Sequence, residues 1–144
     1  MWFSKKEELV KPVSQVTTKA TTKSRGDAAE ALALAHLQRG SLRLLEANYR
    51  TPGRGGGEID LIMRDADGTL VFVEVRQRAS ASHGGAGASI STTKQQRIVF
   101  AAQHYLMRYK TLPPCRFDVV LIHGALGAGD RPKIEWLQSA FDAF

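Results

Sequence analysis

The sequence predicts an α/β sandwich in which helices pack on a mixed β-sheet. Two observations support this fold class: the predicted elements follow the order α-β-β-β-α-β-β, and 43% of the 144 residues are hydrophobic, enough for one core of ordinary size. Residues 1–24 are polar and show no periodicity, so they are predicted to form a flexible basic tail. Residues 25–144 are predicted to form a single domain.

The composition favours an anionic partner. The formal net charge is +6 and the pI is about 9.8, which makes nucleic acid the simplest expectation. Cys115 is the only cysteine, so an intrachain disulfide and a multi-cysteine zinc site are excluded, as suits a reducing compartment. No apolar run is long enough for a signal peptide or a membrane span, and we therefore expect a cytoplasmic protein with no membrane partner.

The first predicted helix covers Asp27–Arg39, which is rich in Ala and Leu and is followed by Gly40, a natural C-terminal cap. Glu30 in this helix has two interpretations. It is either an acid that faces inward or a solvated residue that favours the helix dipole. The next segment, Ser41–Tyr49, is predicted to be a strand.

The glycine-rich loop Arg50–Gly57 resembles a phosphate-binding loop in composition only. Phosphate-binding loops of that kind lead from a strand into a helix, whereas this loop leads into a strand. We therefore interpret it as a basic connection in which Arg50 and Arg54 are placed to meet a phosphate.

The centre of the sequence is a predicted β-hairpin. Glu58–Arg64 alternates between apolar and polar residues, Thr69–Arg78 is rich in Val and Phe, and Asp65–Gly68 is typical of a turn. A three-residue loop fixes the register, because a slip of one residue would send every side chain of a strand to the other face. This register pairs Ile62 with Phe72, Asp60 with Glu74, and Glu58 with Arg76. It leaves an apolar core face that consists of Ile59, Leu61, Met63, Val71, Val73 and Val75.

The predicted pairing brings Asp60 and Glu74 together. Directly opposed residues in such a hairpin have Cβ atoms about 4.5–5.5 Å apart. The two carboxylates would repel each other unless a cation, a proton or Arg76 lies between them. Hard carboxylate oxygens suit Mg²⁺ or Mn²⁺, so we predict that Asp60 and Glu74 are metal ligands.

The remaining elements follow a small-residue loop over Ala79–Ile90. Ser91 or Thr92 is predicted to cap a helix that ends at about Lys110, with basic side chains along one flank that either contact a nucleic-acid backbone or lie solvated. Arg116–His123 is a predicted buried strand in which Asp118 is either an additional acid of the site or, the interpretation we favour, an acceptor of structural hydrogen bonds. Lys133–Trp136 is a predicted short strand, and Leu137–Phe144 is a predicted helical turn.

Five segments together resemble the YraN family of uncharacterised bacterial proteins. They are GDAAE with Glu30, GEIDLI with Glu58 and Asp60, VFVEVRQR with Glu74 and Arg76, TTKQQR with Lys94, and RFDVV. That family resembles in fold the PD-(D/E)XK nucleases, with their restriction-endonuclease-like core, and the archaeal Holliday-junction resolvases. The resemblance implies a catalytic set consisting of Glu30, Asp60, Glu74 and Arg76, and it also implies a homodimer. The register places Glu58 opposite Arg76, where we expect it to support this set by pairing with the guanidinium. The basic side chains predicted to contact nucleic acid are Arg54, Arg78, Lys94 and Arg97.

Two positions depart from the nuclease pattern. Ile59 stands where a proline precedes the strand acid, and Arg76 stands at the lysine position. Arginine has a pKa above about 12 and cannot act as a base, so activation of water would fall to the metal alone.

The sequence thus supports a metal-dependent endonuclease acting on structured or branched DNA. The alternative is a non-catalytic nucleic-acid-binding or adaptor protein with a nuclease-like fold. A third interpretation makes Glu58 and Arg76 an ordinary cross-strand ion pair.

Overall fold

A computed structural model describes residues 22–78, 90–124 and 131–142 and has two helices and one five-stranded sheet within these ranges. The elements are α1 (Thr22–Arg39), β1 (Arg43–Arg50), β2 (Glu58–Arg64), β3 (Leu70–Arg78), α2 (Thr92–Leu106), β4 (Cys115–His123) and β5 (Lys133–Phe141). The spatial strand order equals the chain order, and β3 and β4 are parallel while the other pairs are antiparallel. The mixed α/β class predicted from the sequence is confirmed.

The sheet is covered by one helix on each face. On one face α1 packs Ala29, Ala33 and Leu37 against a cluster of strand residues that consists of Leu61, Met63, Val71, Val73, Val120 and Ile122. On the other face α2 packs its apolar stripe against a second cluster that includes Tyr49, Ile59, Ile62, Phe72 and Phe117. The prediction that Ile59 shares the core face of Leu61 and Met63 is therefore wrong, since it packs under α2. A backbone distortion accompanies this change: Asn48, next to the β1 partner of Ile59, has a φ of 54°.

The hairpin of β2 and β3 has the predicted register. The ladder joins Leu61 to Val73, Ile62 to Phe72, Met63 to Val71 and Arg64 to Leu70. At the turn the Asp65 N–H donates to the Thr69 carbonyl at 2.9 Å, and Gly68 has the positive φ of 93° that the bulged loop needs.

Both helices differ from the prediction at one end. The first helix begins at Thr22, so it includes residues 22–24, which were assigned to the tail. Ser91 caps α2 by accepting a hydrogen bond from the Lys94 N–H at 3.1 Å, and α2 ends at Leu106, before the predicted Lys110. Most of the predicted tail (1–21), most of the small-residue loop (79–89) and the segments 125–130 and 143–144 lie outside the described residues.

The predicted helical turn after Trp136 is wrong, because β5 continues as a strand to Phe141. Pairing with β4 overrides the local preference: Leu137 faces Val119 and Phe141 faces Phe117, with a register shift between these pairs. Ser139 has a φ of 51° within the shifted part, and the rings of Phe117 and Phe141 stack with centroids 4.9 Å apart. Strand pairing and ring stacking together outweigh the helical composition of this segment.

Candidate active site

Asp60 lies where the ladder between β2 and β3 ends. The last backbone pair of that ladder is Leu61 with Val73, and one residue further the Asp60 Oδ2 accepts a hydrogen bond from the Val75 N–H at 2.8 Å. A side-chain carboxylate thus takes the place of the next backbone acceptor. This bond fixes Asp60 beside Glu74, as the predicted register required.

Glu74 is buried at the same point, with only 7% of its surface exposed. Its Oε2 lies 3.4 Å from the Lys94 Nζ, whereas its Oε1 is buried and receives no hydrogen bond from a nitrogen donor of the described residues. When one of the two carboxyl groups holds a proton, a side-chain hydrogen bond joins Glu74 to Asp60. Buried polar atoms are nearly always hydrogen-bonded, so an unsatisfied carboxylate oxygen marks a position that a further group would satisfy. Lys94 reaches Glu74 from the first turn of α2, and the Ser91 cap fixes that turn.

The acid pair has perturbed protonation. Burial raises the pKa of Glu74 to about 8, and the neighbouring Asp60 carboxylate raises it too, while Lys94 lowers it. Burial also raises the pKa of Asp60, an effect opposed by the hydrogen bond from Val75. Two carboxyl groups that share a poorly solvated place cannot both ionise easily, so at neutral pH the pair retains a proton on Glu74 unless a cation joins it.

Glu30 lies at the edge of this site. Burial and the charge of Asp60 raise the pKa of Glu30, whereas a hydrogen bond with the Asn48 side chain lowers it. The Glu30 carboxyl is half-buried, so the inward interpretation holds in part. Asn48 belongs to the residue types that tolerate a positive φ, and its backbone distortion lies next to the strand that carries Asp60.

The donor atoms of the pair suit a divalent cation. Asp60 retains one oxygen that does not bind Val75, and the Glu74 Oε1 is an unsatisfied hard oxygen. Within the three described ranges, no group of three His, Cys, Asp or Glu side chains is close enough to hold a metal by itself. The chain thus provides two carboxylates, and a Mg²⁺ bound there would keep several water or phosphate ligands, as Mg²⁺ usually does in proteins.

Arg76 and Glu58 do not occupy the places predicted for a cross-strand pair. Glu58 is paired across to Arg50 of β1, and the Arg50 Nε lies 2.9 Å from the Glu58 Oε2. Arg76 lies instead at a cavity of about 460 Å³, which we call the acid cavity and which is lined by Glu74, Val75, Arg76, Gln77, Ser91 and Lys94. Arg76 and Lys94 therefore both reach the space beside Glu74.

A second cavity of about 380 Å³ adjoins the glycine-rich loop, and we call it the glycine-loop cavity. Its walls are the loop glycines 53 and 55–57 together with Arg50, Thr51, Glu58, Lys94 and Arg97. Of the four residues predicted to bind nucleic acid, Lys94 and Arg97 meet at this cavity. Arg54 is exposed on the loop and does not line it. Arg78 is the last residue of β3, one residue beyond Gln77 of the acid cavity, and it pairs with His123 of β4; it lines neither cavity.

Sequence reasoning missed two features of the site. It placed Lys94 on a nucleic-acid surface, and the contact with Glu74 appears only when α2 packs on the sheet. The TTKQQR segment was the available signal, because it places Lys94 in the first turn of α2. No sequence signal pointed to Asn48, whose contact with Glu30 depends on a local backbone distortion.

The fold and site define an α/β protein with an acid pair on two inner strands of a five-stranded mixed sheet, at the point where the β2–β3 ladder ends. Residues 29–122 match the family described as "Uncharacterised protein family UPF0102". A UPF0102 protein of Polaromonas naphthalenivorans (strain CJ2) is 66% identical over 99% of each chain, and one of Polaromonas sp. (strain JS666 / ATCC BAA-500) is 63% identical over 99% of each. A UPF0102 protein of Albidiferax ferrireducens is 64% identical over 91% of this chain and 98% of that one. This chain belongs to the UPF0102 (YraN) family, as its motifs indicated.

Within the described part of the chain, no helix has the length and apolar character needed to cross a membrane.

Proposed function

We propose that this protein is a metal-dependent endonuclease that cleaves structured or branched DNA. One observation carries the proposal: the part-buried Asp60 and the buried Glu74 form an acid pair beside a cavity that Lys94 and Arg76 also line, and one Glu74 oxygen has no nitrogen donor among the described residues. Strongly perturbed carboxyl groups in a cleft are typical of functional sites. The net charge of +6 and the resemblance to PD-(D/E)XK nucleases point to nucleic acid as the substrate.

The residues divide the work by their chemistry. Asp60 and Glu74 would hold Mg²⁺ or Mn²⁺, which when bound supplies an activated water and neutralises charge on the phosphate. Glu74 loses its proton when a cation binds, because a ligating carboxylate must be ionised. Lys94 and Arg76 stabilise the negative charge that develops on the phosphate, and only Lys94 has an ammonium group able to transfer a proton. Glu30 supports the pair from α1 through its charge and its bond to Asn48.

Metal titration and a nuclease panel test this function together. We expect calorimetric binding of Mn²⁺ to the wild type, and cleavage of branched DNA in preference to single- and double-stranded DNA. Asp60→Asn should lower both metal affinity and cleavage at least about 100-fold, since losses of that size follow from disturbing even the groups that orient a ligand. Asp67→Asn is the matched control, because Asp67 is an exposed turn residue of the same hairpin whose hydrogen bond from Thr69 an Asn preserves.

Equal cleavage by the wild type and Asp60→Asn would overturn the proposal, since the activity would then come from another site or a contaminant. Equal loss in Asp60→Asn and Asp67→Asn would also overturn it, because the effect would not be specific to the acid pair.

A second candidate is a nucleic-acid-binding or adaptor protein without turnover. It is favoured by the Lys94 contact with Glu74, which balances the acid pair without a metal, and by arginine at position 76. This function predicts binding in EDTA with a steep salt dependence and no strand cleavage with Mg²⁺ or Mn²⁺. Asp60-dependent cleavage would exclude it.

We also propose a cytoplasmic location and a homodimer. A single cysteine suits a reducing compartment, and a branched junction offers two symmetric strands to a two-fold dimer. Light scattering of the protein with and without a four-way DNA junction measures the oligomer directly. A mass of one chain without DNA, and of one chain per junction with DNA, would contradict the dimer.

A further inference from the structure

The glycine-loop cavity is more basic than the acid cavity beside it. Arg50, Lys94 and Arg97 line it, and Glu58 is the one acidic residue on its walls. Three cations around a space of about 380 Å³ suit an anion with several oxygens. A lone surface arginine would provide no such enclosure.

The cavity wall is held by backbone contacts that leave no room for side chains. The Thr51 Oγ1 accepts a hydrogen bond from the Gly57 N–H at 2.8 Å, and the Thr51 N–H donates to the Gly57 carbonyl at 3.0 Å. A Cβ added to Gly57 would overlap the Arg97 carbonyl oxygen, and one added to Gly56 would overlap the Thr51 side chain. The closed loop therefore packs directly on α2 and fixes the backbone from which Arg97 extends.

Lys94 connects the two cavities, since it lines both and contacts Glu74. If the scissile phosphate of a nucleic-acid strand lies at the acid pair, a neighbouring phosphate of the same strand would therefore lie close to Arg50 and Arg97. Three of the four charged side chains on the walls of the glycine-loop cavity are cationic, which suits the oxygens of a phosphate. None of the lining side chains has an aromatic ring on which a base could stack.

We propose that the glycine-loop cavity binds an internal phosphodiester group of the substrate strand, adjacent to the one cleaved at the acid pair. This inference rests on the proposed function for the place of cleavage, but binding in the cavity requires no metal. Recognition at this position is independent of base sequence, because phosphate contacts carry no sequence information.

Glu58 competes with the phosphate in this arrangement. Its carboxylate already lies 2.9 Å from the Arg50 guanidinium, and both side chains are well exposed to solvent. An incoming phosphate must share or displace that carboxylate. Removing the charge of Glu58 should therefore tighten nucleic-acid binding.

The test separates binding from cleavage by using the Asp60→Asn protein in EDTA. Fluorescence anisotropy measures the affinity for a single-stranded oligonucleotide of mixed sequence over a range of salt concentrations. Adding Arg97→Gln should weaken binding and reduce the salt slope by about 0.7, the value for one phosphate contact on a single strand. Adding Glu58→Gln should strengthen binding about two- to fivefold, the range of an exposed ion pair.

Lys110→Gln is the matched control, because it removes one exposed positive charge away from both cavities. The inference predicts that Lys110→Gln changes the salt slope less than Arg97→Gln does. Equal slopes for these two variants would overturn it, since only the net charge would then matter. Weaker binding by Glu58→Gln would also overturn it.

Two further arms identify the source of the phosphate. An oligonucleotide with a 5′-phosphate should bind as tightly as one with a 5′-hydroxyl. Millimolar inorganic phosphate should displace both oligonucleotides to the same extent. A marked preference for the 5′-phosphate would overturn an internal phosphodiester in favour of an end. Arg97-dependent binding without metal-dependent cleavage would contradict only the proposed endonuclease, and cleavage without Arg97-dependent binding only this inference.

Discussion

Asp118 and Glu74 are buried carboxyl residues on the neighbouring strands β4 and β3, and their surroundings differ. Asp118 is fully buried and accepts hydrogen bonds from the Arg116 Nε, the Trp136 Nε1 and the Ser139 N–H at 2.9–3.2 Å. Among the described residues Glu74 has one cation at 3.4 Å and the Asp60 carboxyl as its polar neighbours, and its Oε1 receives no hydrogen bond from a nitrogen donor. Nitrogen donors from three residues thus surround Asp118, whereas Glu74 faces a second carboxyl group.

The difference separates a structural acid from a candidate functional one. The donors around Asp118 join β4 to the shifted part of β5, and each carboxylate oxygen accepts at least one hydrogen bond. The surroundings of Glu74 instead keep a second carboxylate close and an oxygen available, which raises its pKa to about 8, mainly through burial. Burial alone does not distinguish the two roles. Hydrogen-bond saturation does, because an unsatisfied buried group is costly unless a ligand completes it.

The largest expected effect on stability is that of Asp118→Ala. The substitution leaves the Trp136 N–H and the Ser139 N–H without an acceptor and removes one of the two carboxylates that face Arg116. Loss of one partner of a buried charged pair costs about 3–5 kcal/mol, and we expect a decrease of that size in the free energy of unfolding by urea. A decrease below about 1 kcal/mol would show that the network around Asp118 is not structural.

Glu74→Gln should change how stability depends on pH. The pKa of Glu74 is raised in the folded protein to about 8 from its ordinary value of 4.5, so the folded state binds more protons than the unfolded state between these values. This residue therefore makes the wild type less stable as pH rises from about 4.5 to about 8, with a slope of at most about 1.4 kcal/mol per pH unit. Without metal, urea unfolding at pH 5.5, 6.5 and 7.5 should show a flatter profile for Glu74→Gln. Parallel profiles would contradict the raised pKa.

The hairpin register was predictable because it depends on local sequence. Asp65–Gly68 determines the loop, and the alternation of the flanking strands allows one register with an apolar face, so the pairs from Ile62 with Phe72 to the turn are as predicted. The ladder ends before Asp60, but the Asp60 side chain still lies beside Glu74. The structural role of Asp118 was also predicted. Lys94 and Glu74 are 20 residues apart in sequence, and their contact depends on how α2 packs across the sheet, which no local pattern determines.

Two of the errors arise where a feature outside the local pattern decides the structure. The segment after Trp136 has a helical composition, but hydrogen bonds with β4 and the Ser139 N–H bond to Asp118 hold it as a strand. Ile59 follows the alternation of its strand in sequence, yet the distortion near Asn48 sends it to the other core cluster. In both places a long-range contact or a backbone irregularity outweighs the local pattern, as is common at strand edges and near sites.

Trp136→Phe tests one donor of the Asp118 network. Phenylalanine preserves an aromatic ring in a position that packs against the cluster under α1, but it has no N–H to donate to the Asp118 Oδ2. Asp118 retains its bonds from Arg116 and Ser139, so we expect a loss of about 1–2 kcal/mol, near the value of one hydrogen bond to a charged group. The double variant Trp136→Phe/Asp118→Asn, measured by urea unfolding, should show that the two changes are not additive. Full additivity would mean that the loss comes from packing alone.

Lys94→Gln should have the smallest effect on stability. The pH dependence of this effect tests how the Lys94–Glu74 pair differs from the Arg116–Asp118 pair. The Lys94 side chain is 37% exposed, so screening limits its pair with Glu74 to about 1 kcal/mol or less. Near pH 6 Glu74 is protonated and the substitution should be almost neutral, whereas at pH 9 Glu74 is ionised and the loss should appear. Urea unfolding of Lys94→Gln in the wild-type and Glu74→Gln backgrounds measures the coupling, which should vanish in the second background. An equal loss of stability at both pH values would mean that Lys94 acts through helix packing. It would also mean that Lys94 and Glu74 do not interact through their charges.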